Sequence, residues 1–189
     1  MFSNRTNWNL SPNRLTKLIE ERRQQGHVIL DLTESNPTKV GFDFYNESML
    51  NPLKNKSNLI YEPDPKGLLD TRVAVSEYYS QHNTDVRPEN IILTSGSSEA
   101  YSFILRLIAD VDDEVLVPVP SYPLLNIISQ INDVVLKNYQ IVYDGEWHID
   151  FESIESAITK NTRAILVIHP NNPTGSYVKV FEYNKLVLS

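Results

Sequence analysis

The sequence contains no cysteine. That excludes a disulfide scaffold, thiolate metal ligation and a cysteine nucleophile, and it is compatible with a cytoplasmic protein. No basic excess is present either: 17 lysines and arginines stand against 24 aspartates and glutamates, a formal net charge of −7. Such a chain has no electrostatic means of neutralising phosphates, so a nucleic-acid partner is not expected. Long apolar runs are also missing. The first ten residues are polar and unlike a secretion signal, Glu20 and Glu21 among the early arginines speak against a transit segment, and no stretch approaches membrane-spanning length. Repeats, low-complexity tracts and linkers long enough to separate independent domains are absent. What remains is an acidic chain of 189 residues, 41% of them hydrophobic, which can pack a core and is cytoplasmic by default.

The opening residues form an arm that feeds a helix. Ser11 can cap it, Pro12 suits its first turn and Gly26 its exit, with Leu15, Leu18, Ile19 and Arg22 along one face. Residues 28–32 predict a short strand. Residues 34–45, with Asn36-Pro37 and Gly41, predict a loop, and so does most of 52–66. A helix is expected over 68–81, where Leu69, Val73 and Ser76 recur at helical spacing.

From Glu89 onward the pattern changes. Ile91-Ile92-Leu93 reads as a buried strand, and Thr94-Ser95-Gly96-Ser97-Ser98 as the turn after it. A helix follows with Ala100, Ile104, Leu107 and Ile108 on one stripe. Val115-Leu116-Val117 is a second apolar strand and 122–131 an apolar helix. Residues 134–136 and 139–143 read as strand, Asp150 caps a helix to about Ile158, and 164–168 form the last strand. Short apolar strands alternating with helices imply an α/β fold: a mostly parallel sheet with helices on both faces. Residues 181–189 look like the first turns of a further helix. A parallel sheet ending there leaves an apolar strand without its next crossover, so the reading is of an interrupted domain.

Three segments carry chemistry. In Thr94-Ser95-Gly96-Ser97-Ser98-Glu99-Ala100, glycine lets the backbone approach an anion, and the first helical amides have no partners inside the helix. Small residues at a strand–helix turn also fit for purely structural reasons. Asn171-Asn172-Pro173-Thr174-Gly175 follows a strand, where ligands of open α/β sheets gather, although Asn-Pro and Thr-Gly are ordinary turn formers too. Val119-Pro120-Ser121-Tyr122-Pro123 also follows a strand. Its ring could stack on a flat cofactor or simply fill space.

The order and context of the three together resemble the class I/II pyridoxal-phosphate-dependent aminotransferases of fold type I (the aspartate aminotransferase fold), over nearly the whole chain. The resemblance implies that Gly96, Ser97 and Ser98 bind the phosphate of pyridoxal 5'-phosphate. Tyr122 would stack on its pyridine ring, and Asn172 would donate to its phenolic oxygen. Tyr61-Glu62-Pro63-Asp64-Pro65-Lys66-Gly67-Leu68 resembles the family segment whose tyrosine reaches the phosphate of the partner subunit, which implies that role for Tyr61 and a homodimer for the full-length enzyme. Leu32-Thr33-Glu34-Ser35-Asn36-Pro37 resembles the loop that closes on the substrate carboxylate. Ser35 stands there where the family usually has glycine, and is the substrate-binding candidate. The implied domains are an N-terminal arm with part of a small domain over 1–45, and an incomplete cofactor-binding large domain over 46–189.

The resemblance also implies residues that are not found here: the Schiff-base lysine, the aspartate against the pyridine nitrogen and the arginine for the substrate carboxylate. Ser176-Tyr177-Val178-Lys179 matches the bare Ser-x-x-Lys pattern, but follows Gly175 with no intervening strand, so Lys179 reads as a surface loop residue. The expected activity is amino transfer between an amino acid and a 2-oxo acid, by a chain inactive alone. A carbon–sulfur lyase of the same fold and a non-catalytic binding or dimerisation fragment are the alternatives. No metal site is expected.

Overall fold

The computed structural model describes residues 2–42 and 47–188. It divides into two compact units, one comprising residues 1–8 and 94–189, the other residues 9–93. The expected domain boundary after residue 45, and the end of the expected loop over 34–45, lie outside the described residues.

In the larger unit, helix α4 (Ser97–Ile108) precedes strand β1 (Glu114–Val119). There follow helix α5 (Leu125–Ile131), strands β2 (Val135–Tyr143) and β3 (Trp147–Ile149), helix α6 (Phe151–Ala157), strand β4 (Thr162–Ile165) and helix α7 (Val180–Leu188). The sheet has four strands in the order β3-β2-β1-β4. β1 pairs in parallel with β2, from Glu114 opposite Val135 to Val119 opposite Gln140, and in parallel with β4. β3 folds back antiparallel on β2 and forms one edge. The fold is α/β with a mostly parallel sheet.

The apolar run at 115–117 reflects burial on both faces. Alternate side chains of a strand point to opposite faces. Val115 and Val117 join Leu105, Leu125, Ile128 and Val134 on one face, while Leu116 joins Tyr139, Ile149 and Ile154 on the other. α4 and α5 therefore cover one face and α6 the other, with Leu186 of α7 packed beside it. Buried Tyr139 donates its hydroxyl to the Leu166 carbonyl at 3.0 Å. Buried Glu182 accepts the amides of Ile149 and Lys179. Asp150 caps α6 by accepting from the amides of Glu152 and Ser153. The first residues clasp this unit: Arg5 forks onto Asp133 with contacts of 2.6–2.9 Å, and the Trp8 indole donates to Gln130.

The smaller unit contains helices α1 (Arg14–Gln24), α2 (Glu47–Leu50) and α3 (Leu69–Gln81), with short 3-10 turns between them. Asn13, not Ser11, caps α1, one residue after Pro12, and Gly26 exits it at φ +81°. The residue around which this unit is tied is buried Arg72. Its guanidinium donates to the carbonyls of Gly67 and Pro88 at 2.9 Å and to Asp64 at 3.1 Å. Gly67 has φ +89°, and a Cβ added there would lie 2.7 Å from Leu93, so glycine is required twice over.

Several expectations are corrected. Residues 28–32 and 91–93 form no strand. A strand exists only through pairing, and Leu93 instead donates its amide to Lys66, in a loop. The two segments expected at 134–136 and 139–143 are one strand, and the hairpin strand β3 was not foreseen. On α4 the inward line runs through half-buried Tyr101 and buried Leu105 to the C-cap Ala109, not through Leu107, which is exposed. Leu69 and Val73 of α3 are exposed, so their helical spacing builds no core.

Candidate functional site

The carboxyl edge of the sheet gathers the chemistry. Since β1 and β4 are parallel, the loops that leave them emerge at the same edge. The loop after β1 carries Pro120, Ser121 and Tyr122, and the one after β4 carries Asn171 and Asn172. The Asn171 side-chain amide, 6% exposed, donates to the Pro120 carbonyl at 3.2 Å and to the Thr174 hydroxyl at 2.9 Å. Tyr122 is half-buried, and its ring stacks on Tyr101 with centroids 6.5 Å apart and planes at 30°. Tyr101 lies one turn along α4 from Ser97, so the first turns of that helix flank Tyr122. Asn172 is exposed beside its buried neighbour.

At the start of α4, Gly96 is the N-cap, in extended backbone with no side-chain cap. A methyl group built on Gly96 would meet no atom within 4 Å beyond its chain neighbours, so there is open space beside Gly96 itself. Glu99 and Ala100 donate their amides to the Gly96 carbonyl, and the Glu99 carboxylate accepts the Ser95 amide at 2.7 Å. Among the described residues, no acceptor takes the amides of Gly96, Ser97 or Ser98. Three N–H groups with two serine hydroxyls beside them, at the positive end of a helix dipole, are suited to an anion. The buried Ser121 hydroxyl likewise has no partner among the described residues.

Tyr61 and Ser35 belong to the other unit. Tyr61 is 90% exposed in the loop just before the Arg72-tied segment, and Ser35 is exposed between Glu34 and Asn36, which caps the next 3-10 turn. Lys179 sits immediately before α7, its ammonium 2.5 Å from Glu146 and its amide donated to Glu182. The sequence reading missed Tyr101, Glu99 and Asn171. Tyr101 was within reach, because it recurs at helical spacing after Ser97. Asn171 carried no separate signal beside an identical neighbour.

The model of the family described as aminotransferase class I and II matches residues 31–188. The chain belongs to the class I and II aminotransferases. Its relatives include the glutamate-pyruvate aminotransferase AlaA of Escherichia coli K12, 32% identical over 161 residues, which are 85% of this chain and 40% of that protein. The alanine aminotransferase of Mycobacterium bovis is 32% identical over 80% of this chain and 36% of its own length. Among solved structures, alanine aminotransferase from Pyrococcus furiosus superposes with a TM-score of 0.78 at 29% identity, covering all of this chain and 49% of that one. The chain thus spans under half of the curated relatives it matches. Enzymes of this class use pyridoxal 5'-phosphate. The donor set at this edge fits that group in kind: unclaimed amides and hydroxyls for a phosphate, an aromatic ring for a flat heterocycle, and an exposed amide side chain for a phenolic oxygen. Among the described residues, no helix is long and apolar enough to cross a membrane.

Proposed function

We propose that this aminotransferase chain holds pyridoxal 5'-phosphate non-covalently and forms the cofactor-binding front portion of an enzyme that moves an amino group from an amino acid to a 2-oxo acid. The observation that carries the reading is the unclaimed set of amides at Gly96, Ser97 and Ser98, ahead of a helix flanked by Tyr122. In this reading the amides and the serine hydroxyls bind the phosphate, Tyr122 covers one face of the ring, and Asn172 donates to the phenolic oxygen. Bound, the cofactor supplies an electron sink for charge developing at the substrate α-carbon. Tyr61 would serve the phosphate of a partner subunit and Ser35 the substrate carboxylate, within a cytoplasmic homodimer, each chain contributing an arm and part of a small domain over 1–45 and an incomplete large domain over 46–189. The names of the relatives make alanine, glutamate and pyruvate the first substrates to try.

No lysine of this chain stands in the expected context, and Lys179 is engaged by Glu146. That favours a second reading for the chain in isolation: a binding fragment without turnover. Equilibrium dialysis against pyridoxal phosphate, with absorbance spectra and an alanine–2-oxoglutarate assay, tests both. Saturable binding that washes out, with amino transfer no faster than free cofactor gives, is expected. A stoichiometric lysine adduct after borohydride, with turnover well above free cofactor, would overturn the non-covalent reading. Absence of any saturable binding would overturn the cofactor site.

A further inference from the structure

We infer that Asn171 is a positioning residue that fixes the loop carrying Asn172 relative to the loop carrying Tyr122. The inference rests on the cofactor reading above for its purpose, but not for its geometry.

Asn171 is 6% exposed and touches both loops that leave the sheet edge. Its backbone ties its own loop into a closed turn, the amide donating to the Ser176 carbonyl at 2.8 Å and the carbonyl accepting from Gly175 at 2.7 Å. Its side-chain nitrogen then reaches across to the Pro120 carbonyl, two residues before Tyr122. A carbonyl oxygen only accepts, so the amide must present its nitrogen to it. The same nitrogen donates to the Thr174 hydroxyl, which in turn contacts the Ser176 hydroxyl at 2.7 Å. One side chain thus joins the residue preceding Asn172 to the segment carrying Tyr122.

The oxygen of the same side chain is buried with no partner among the described residues. An orphaned buried acceptor is destabilising, and an apolar side chain of equal volume would avoid it. What the amide contributes beyond filling space is therefore the cross-loop donor. Tyr122 packs on Tyr101 and on the core beneath it, and the pairing of β1 with β4 sets the loops side by side. Among the described residues, the hydrogen bond that joins the Tyr122 loop directly to the second loop is the one from Asn171 to Pro120.

The test uses the chain labelled with 3-fluorotyrosine, the Tyr122 resonance being identified by loss in Tyr122→Phe. Asn171→Leu keeps the volume and removes both donors. Asn171→Asp loses the donors at neutral pH but regains one when protonated. Folding is checked by circular dichroism. In both variants at neutral pH the Tyr122 resonance should shift and broaden, and pyridoxal phosphate should bind about tenfold more weakly, the loss of one good hydrogen bond. For Asn171→Asp both effects should diminish, relative to the original chain at the same pH, as the carboxyl protonates. A role in packing alone predicts no such recovery. If Asn171 variants fail to fold, Thr174→Val removes the second acceptor from outside and should perturb the same resonance more weakly. An unchanged Tyr122 resonance in folded Asn171→Leu and Asn171→Asp, or in Thr174→Val where those do not fold, overturns the inference. If the original chain binds no cofactor, the cofactor reading fails while the fluorine signal still decides the bridge.

Discussion

The two units of this chain are each held together in a different way. In the sheet unit, β1 is buried on both faces, Leu116 is 0% exposed, and helices cover the sheet on either side. In the unit over 9–93, the one buried residue among those described is a charged one, Arg72. Most of its large apolar side chains are open to solvent, Leu32 at 95% and Leu59 at 87%. Hydrophobic burial is proportional to area removed from water, so it stabilises the first unit and contributes little within the second. The second depends instead on directional bonds from one guanidinium to Gly67, Pro88 and Asp64. A charged fork of this kind fixes a loop's shape without needing a core.

This contrast can be broken most directly by truncation. Leu116→Ala should cost about 2–5 kcal/mol, because it opens a cavity between packed layers, whereas Leu59→Ala should stay within about 0.5 kcal/mol. Urea denaturation of the two variants checks it, and comparable losses would mean that Leu59 is covered in solution. Next in size is Arg72→Met. It strands the two carbonyls and Asp64 and should cost roughly 2 kcal/mol locally. Hydrogen exchange should then accelerate in α3 while β1 and β2 keep their protection. Uniform acceleration would show that the units unfold as one.

Smaller effects sharpen the picture of the sheet unit. Asp150→Ala removes the acceptor for the Glu152 and Ser153 amides and should cost about 1 kcal/mol, read as a lower denaturation midpoint. The smallest concerns Tyr139, whose hydroxyl is pushed up to about 12, first by burial and second by the Glu182 carboxylate. The folded state keeps that proton at a pH where the unfolded chain, near the ordinary value of about 10, has begun to lose it. The stability contributed is full below pH 10 and is lost as pH rises toward 12. Between pH 10 and 11 the loss is roughly 1 kcal/mol. Tyr139→Phe should abolish that slope, and an unchanged alkaline profile in that variant would assign the titration elsewhere.

Much of this was legible because it is local. The Asp150 cap, the Gly26 exit, the helix over 69–81 and the doubly buried run at 115–117 each declare themselves within a few residues. A helix was expected directly after the 94–98 turn, and it begins two residues earlier, at Ser97. The family was legible for a different reason: three short segments in a fixed order, two of them after strands β1 and β4 and one at the start of α4. Residues 28–32 and 91–93 show the limit. Both have strand composition, but composition does not supply a neighbour, and neither pairs.

The sequence by itself determined the α/β class, the Asp150 cap and that the segments at 119–123 and 171–175 follow strands, because these follow from spacing and from each residue's own backbone preferences. Only the tertiary structure decided which of the apolar segments became strands, which face of α4 is buried and which of two adjacent asparagines is buried. It also decided that Arg72 ties one unit and that Asn171 spans two loops. Those outcomes depend on what lies across space from a residue. The Pro120 carbonyl and Asn171 are far apart along the chain, and only the parallel pairing of β1 with β4 brings them within a hydrogen bond.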